Sequence, residues 1–227
     1  SQLSPDDRKN VLARFRNEVE AAAQLEHDHV VTVYDVGEID GQSYYSMRYV
    51  EGDSLRDKLR TGPIDPMVAA QYMQQVASAL AEAHAMGILH RDLKPHNVMV
   101  DAKSDRALLA DFGLAKLPQS DQELTRTDIA IGSPAYMSPE QTLDAGKVTT
   151  SSDIYGLGAT LYHLLTGRPP FKSSNPLDTV LQVLQQEPIS PRQLSPSVPK
   201  DLETIALKCL EKSPKRRFTR TTDLAEE

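Results

Sequence analysis

Residues 88–100 read "ILHRDLKPHNVMV", an apolar stretch broken in its middle by two histidines, an arginine, a lysine, an aspartate, an asparagine and a proline. Taken singly, each polar residue suits an ordinary surface turn. Together they place charge between two apolar flanks, and their neighbours say what for. Asn97 leads directly into "VMVD" (98–101), and "ALLADFG" (107–113) follows the turn-like "AKSDR" (102–106). Two short strands so joined fold as a hairpin, which sets the start of the first beside the end of the second. Asn97 and Asp111 are therefore expected to meet in space. Asp92 and Lys94 stand just upstream, with Pro95 biasing Lys94 towards an extended backbone. One small volume then holds two carboxylates, an amide oxygen and an ammonium. Clustered carboxylates repel unless a cation joins them. A few hard oxygen ligands suit Mg²⁺ retained with waters and phosphates. Asp92 could orient a hydroxyl and take its proton, and Lys94 could neutralise charge on a transferred phosphoryl group.

Outward from this stretch the pattern is mostly helical. Residues 66–86 set Ala69, Tyr72, Val76, Leu80 and Ala83 on one stripe, and Gly87 stops the helix. A second helix, 152–166, carries Ile154, Leu157, Leu161 and Leu164 and ends at Gly167. Weaker helices are expected at about 176–186 and 199–211, and a long irregular stretch at about 114–150. Towards the N terminus, residues 5–26 read as a helix. Residues 30–50 read as two strands, 30–37 and 43–50, turning at Asp40-Gly41. "EGDSL" (51–55) caps a short helix before a break at Gly62-Pro63. A boundary near Glu51 separates a small strand-containing part, 1–50, from a larger helical one, 51–227.

Composition excludes several classes. The 227 residues are 39% hydrophobic and 25% charged, ordinary for a soluble globular protein. A net charge of −7 argues against a nucleic-acid partner. The single cysteine, Cys209, cannot close an internal disulfide, and in "LETIALKCL" it reads as a buried helix residue; a reducing compartment is expected. No apolar run approaches a membrane span, so this segment is expected to be cytoplasmic and free of membrane contact, with an anchor elsewhere in a parent protein left open.

On these residues the chain resembles the eukaryotic-like (Hanks-type) serine/threonine protein kinases, most closely the bacterial ones. "HRDLKPHN" looks like the catalytic loop, "DFG" at 111–113 the metal-binding motif, and "GSPAYMSPE" at 132–140 the end of the activation segment. The "SDIYGLGATLYHLLTGRPPF" that follows resembles the central helix of the large lobe. The resemblance implies an α+β, protein kinase-like fold, with a partial small β-containing lobe over 1–50 and a mainly helical lobe over 51–227. It implies that Asp92 is the catalytic base, Asn97 and Asp111 the magnesium ligands, and Lys94 the phosphate-neutralising lysine. Ser133 matches a residue bonding the catalytic Asp and Lys. Glu140 matches an acid pairing with an arginine, here Arg217, and Asp153 the acid that holds the catalytic-loop backbone; each of these three also suits a solvated surface position. "YSMRYVEG" (45–52) resembles the hinge, with Met47 as gatekeeper, the backbone of Arg48 and Val50 bonding adenine, and Met99 as its floor. Met47 and Met99 equally suit a plain core. The implied cofactors are ATP and Mg²⁺, with Mn²⁺ as a substitute, and the implied partners are proteins bearing Ser or Thr. A small-molecule phosphotransferase would lack a segment like "GSPAYMSPE".

Arg91 precedes the catalytic acid, an arrangement that in such kinases pairs with a phosphorylated activation segment. Thr125 and Thr127, in "LTRTDIAIGS", stand where related bacterial kinases phosphorylate themselves, which brings self-association with it; two solvent-facing threonines are the alternative. In "FRNEVEAAAQL" (15–25), Glu18 falls on the apolar stripe of its helix, where a carboxylate needs a partner. The resemblance offers a strand lysine that holds the ATP phosphates. No "VAIK"-like strand and no "GxGxxG" precede that helix in the 227 residues, and Lys9 is a poor substitute. The expectation is a kinase catalytic domain lacking the first strands of its small lobe, binding ATP weakly as it stands. The alternative is a catalytically impaired pseudokinase or docking module with the same fold.

Overall fold

A computed structural model describes residues 23–39, 42–112 and 134–226. Strands β1 (Val33–Ile39) and β2 (Gln42–Met47) pair antiparallel, Val33 opposite Met47, with a bulge between Val33 and Asp35. Both are displaced from the spans expected of them, 30–37 and 43–50, and the reason is competition for hydrogen bonds. Val30 and Val31, each 4% exposed, face the C-terminal body instead. The Val31 amide donates to Leu109 O at 2.9 Å and the Leu109 amide to His29 O at 2.8 Å. Only Ala23 of the helix expected over 5–26 lies among the described residues as helix. Gln24 turns, and Leu25 and Glu26 lie beyond its end. The Asp40-Gly41 turn lies outside the described residues.

Strand β3 (Gly52–Ser54) runs straight into helix α1 (Leu55–Lys58). Ser54 caps that helix: its Oγ accepts from the Asp57 amide at 3.1 Å and donates to the Asp57 carboxylate at 2.6 Å. A side chain at position 52 would meet Val100 O at 1.9 Å, so only glycine lets β3 lie flush on its neighbour. Helix α2 (Pro66–Ala85) starts at Asp65, whose Oδ1 accepts from the Met67 amide at 2.9 Å. Its whole stripe is buried, Ala69, Val76, Leu80 and Ala83 at 0% exposure and Tyr72 at 2%. Gly87, at φ 75°, turns the chain back so that the Ile88 amide bonds Ala83 O at 2.8 Å.

Strands β4 (Val98–Asp101) and β5 (Ala107–Leu109) form the hairpin expected from the sequence, Val98 opposite Leu109, and β3 extends it to the order β3-β4-β5. From Pro134 onwards the stretch expected to be irregular is not: α3 (Pro139–Leu143) lies between two 3₁₀ turns. Ser138 caps α3 and Pro139 opens it, but five residues are too few to show a period. Helix α4 (Thr150–Thr166) is almost entirely buried and packs against both α2 and α7 (Lys200–Cys209). α4 begins two residues earlier than expected because the Thr149 amide donates to Ser152 Oγ at 3.2 Å. Helices α5 (Pro176–Gln185) and α6 (Pro191–Leu194) precede α7, and α8 (Thr221–Glu226) closes back on α2. Apolar residues of α2, α4, α7, β4 and β5 form one continuous core. Among the described residues no helix is long and apolar enough to cross a membrane.

Candidate active site

Residues 90–97 run between α2 and β4 and are held from three sides. From α4, Asp153, 1% exposed, accepts the Arg91 amide on Oδ1 at 2.8 Å. Its Oδ2 accepts the His90 amide at 2.9 Å and lies 2.8 Å from His84 Nε2 on α2. From α3, Gln141 Nε2 donates to Arg91 O at 2.6 Å. These bonds fix Arg91 at φ 64°, a left-handed conformation that a bulky residue adopts only when its surroundings over-determine it. From just beyond β5, Ala110 O accepts from His90 Nε2 at 3.0 Å, which leaves His90 Nδ1 to accept the Asp92 amide at 3.3 Å. Burial holds the His90 imidazole below its ordinary pKa, against the pull of Asp153, so it stays neutral with the proton on Nε2. Its ring packs on Phe112, centroids 5.0 Å apart.

Within this frame, Lys94 Nζ lies 2.6 Å from Asp92 Oδ2. Asn97, 4% exposed, donates from Nδ2 to Asp92 O at 2.9 Å and reaches Asp92 Oδ2 at 3.4 Å. The hairpin delivers the next group: the Ala110 amide donates to Asn97 O at 2.9 Å, which puts Asp111 beside Asn97 along the backbone. Asp111, at φ 58°, accepts on Oδ1 a hydrogen bond of 2.5 Å from the Tyr45 hydroxyl of β2. Asp92, Lys94, Asn97 and Asp111 therefore share one locality. With the Asn97 nitrogen spent on Asp92, its oxygen is the atom left to ligate. An amide oxygen and carboxylates are the donors a hard divalent cation takes.

Next to this group, Met99 packs on a small buried cluster of Val31, Val50, Leu108 and Ala110. Met47 is 44% exposed, and Arg48 is exposed with its amide donating to Thr32 O at 2.8 Å. That leaves the Arg48 carbonyl, rather than its N–H, for any base in the cleft. A larger polar cavity of about 450 Å³, bounded by His27, Asp28, Arg48, Asp101 and Arg106, contains none of the four central residues. Glu18, Thr125, Thr127 and Ser133 lie outside the described residues, as does Gly113.

Below the loop, Arg217 is fully buried and forms a two-pronged pair with Glu140, NH1 to Oε1 at 2.7 Å and NH2 to Oε2 at 2.9 Å. Ser152 donates to the same Glu140 Oε1 at 2.7 Å. Burial pushes the Glu140 carboxyl up, but the Arg217 and Ser152 hydrogen bonds outweigh it and hold the group below its ordinary pKa. Four residues that matter here carried no sequence signal. Tyr45 fell within an expected strand, His84 and Ser152 within expected helices, and Gln141 within the stretch expected to be irregular, with no role assigned to any of the four. Each acts across a tertiary contact that no local pattern encodes.

Small antiparallel sheets, a helical body and a loop pinned on the central helix define an α+β architecture of the kinase type. The protein kinase domain family matches residues 2–227. The serine/threonine-protein kinase PrkC of Bacillus subtilis is 41% identical over 214 residues, 94% of this chain and 33% of PrkC. PknB of Mycobacterium leprae is 38% identical over 93% of this chain and 34% of its own. Among solved structures, the PknI kinase domain of Mycobacterium tuberculosis aligns with TM-score 0.76 and 31% identity, covering 99% of this chain and 81% of that one. The chain belongs to the protein kinase domain family. It spans about a third of the length of the curated relatives it matches.

Proposed function

We propose that the protein transfers the γ-phosphoryl group of Mg-ATP to serine and threonine hydroxyls of other proteins. The observation that carries this reading is the Asp92–Lys94–Asn97 group, held by Asp153 and Gln141 at the foot of the hairpin that brings in Asp111. Relatives that match nearly this whole chain are named serine/threonine-protein kinases.

In this reading Asp92 orients the acceptor hydroxyl and takes its proton, while Lys94 stays within reach of both Asp92 and the transferred group. Asn97 Oδ1 and the Asp111 carboxylate would hold Mg²⁺, or Mn²⁺ in its place. Bound there, such an ion would supply positive charge against the phosphates. Asp153 and Gln141 keep the loop from relaxing, so the groups need no rearrangement as charge develops. Adenine bonds the Arg48 carbonyl and the Val50 amide, beside Met47 and over Met99, and Glu18 belongs to the same nucleotide site. Phosphates on Thr125 and Thr127, added by a second copy, would pair with Arg91, and Ser133 matches the residue that in such kinases bonds the counterparts of Asp92 and Lys94. Glu140, Arg217 and Asp153 are structural. Residues 1–50 and 51–227 act as small and large lobes, and the reaction takes place in the cytoplasm, the single cysteine being consistent with a reducing compartment.

The test compares the full chain with its Asp92→Asn variant on a generic Ser/Thr substrate. Turnover should fall about 10²–10⁴-fold, the range for loss of a positioned general base. Equal labelling by both would overturn the assignment.

A further inference from the structure

Tyr45 is a strand residue with an unusual task. Its ring, half-buried, packs against the main core, and its hydroxyl donates to Asp111 Oδ1 at 2.5 Å across 66 positions of sequence. Asp111 has little other freedom. The residue before it is bonded on both sides, its amide to Asn97 O and its carbonyl to His90 Nε2. The residue after it, Phe112, is 6% exposed and packs its ring, tilted, against His90. The backbone at Asp111 is thus set by the catalytic loop, and what remains to be set is the rotation of its carboxylate. Tyr45 supplies that from the β1–β2 sheet.

We propose that Tyr45 is a positioning residue for the metal-ligating carboxylate: it holds Oδ1 of Asp111 so that Oδ2 is presented to the divalent ion. The inference rests on the reading of Asp111 as a metal ligand. A carboxylate offers about four lone-pair sites, so a bond to Oδ1 leaves room for a cation at Oδ2. A neutral phenol adds no positive charge to oppose that cation. A phenol hydroxyl is protonated at neutral pH and so can serve as the donor. Groups that hydrogen-bond a ligating side chain tune the metal through orientation, and their loss usually costs about 10–100-fold in metal affinity or activity.

The experiment titrates Mn²⁺ into the full chain in the presence of a non-hydrolysable ATP analogue and reads free Mn²⁺ by electron paramagnetic resonance. Tyr45→Phe keeps the ring that packs on the core and removes only the donor; circular dichroism checks its fold. Mn²⁺ affinity should weaken about tenfold or more, with nucleotide affinity in EDTA unchanged. The Mg²⁺ requirement for turnover should rise while KM for the protein substrate stays put. Tyr34→Phe, a change at a residue 66% exposed on β1, should bind Mn²⁺ as the parent does. Asp111→Asn separates the two ideas. If it abolishes Mn²⁺ binding while Tyr45→Phe binds as well as the parent or better, Tyr45 is not a positioning residue and the metal site stands. If Asp111→Asn leaves Mn²⁺ affinity intact, the metal assignment falls and this inference with it.

Discussion

Replacing Arg217 with methionine tests how the segment beneath the active loop is anchored. The guanidinium is fully buried and Glu140 is 12% exposed. It donates to both Glu140 oxygens and to the carbonyls of Glu211 at 2.8 Å, Ser151 at 2.8 Å and Lys212 at 3.1 Å. Its face lies 4.9 Å from the Tyr155 ring. Methionine fills much of the volume but leaves three carbonyls without the Arg217 donor and the Glu140 charge without its cation, with only Ser152 still bonded to it. Removing one partner of a buried pair costs about 3–5 kcal/mol. With an m-value near the upper end for urea, about 3 kcal/mol/M, the midpoint should drop by about 1–1.7 M. The assay is urea unfolding followed by circular dichroism at pH 7. Adding Glu140→Gln should recover part of the loss, because the stranded charge is gone. The penalty should also shrink as pH falls, beginning above 4.5, the ordinary value for a Glu, because burial pushes the Glu140 carboxyl up once the arginine is gone. A midpoint shift of Arg217→Met below about 0.3 M, roughly 1 kcal/mol, would show that Arg217 does not anchor this segment.

Three further outcomes are expected. His163 Nδ1 on α4 lies 2.6 Å from the Tyr136 hydroxyl, and burial pushes the imidazole pKa from 6.5 to about 4. Because the folded value is the lower one, stability is complete above pH 6.5 and declines as pH falls towards 4. The loss is about 1–3 kcal/mol after allowance for partial exposure, and His163→Gln should flatten that limb in a pH series of unfolding curves. Asp153→Ala strands the amides of His90 and Arg91; it should lower stability by about 2–5 kcal/mol and, in enzyme that remains folded, reduce kcat more than the substrate KM. Gly158→Ala places a methyl 2.2 Å from Cys209 Cβ, where α4 and α7 touch. Thermal melting should report a loss of about 1–3 kcal/mol, and no change would mean that the helices can separate freely.

Elements with a long period were legible in the sequence. The stripe from Ala69 to Ala83 and the Gly87 and Gly167 stops located the two main helices to within two residues, because burial of one helix face leaves a repeating trace. The β4–β5 hairpin was legible for a related reason: two apolar runs flank a polar turn, and their pairing alone predicted that Asn97 and Asp111 would be neighbours. Short elements were not. Gly52–Ser54 is a strand because β4 offers it an edge, and Pro139–Leu143 is a helix because Ser138 caps it. Val30 and Val31 read as strand by composition, but the Val31 amide and the His29 carbonyl on either side of Val30 are spent on Leu109, a partner 78 or more positions away. At the site, the charged residues of the loop stood out at once. Tyr45, whose hydroxyl reaches Asp111, did not, since a tyrosine in a strand is unremarkable until the fold shows what lies opposite.

The arrangement of Asp92, Lys94, Asn97 and Asp111 is tested most directly by a crystal structure of the full chain with Mg²⁺ and a non-hydrolysable ATP analogue. The account predicts an ion ligated by Asn97 Oδ1 and an Asp111 oxygen at about 2.0–2.1 Å, completed by phosphate oxygens and water. It also predicts the terminal phosphate within hydrogen-bond reach of Lys94. An ion bound elsewhere, or phosphates directed away from Lys94 and Asp92, would contradict it.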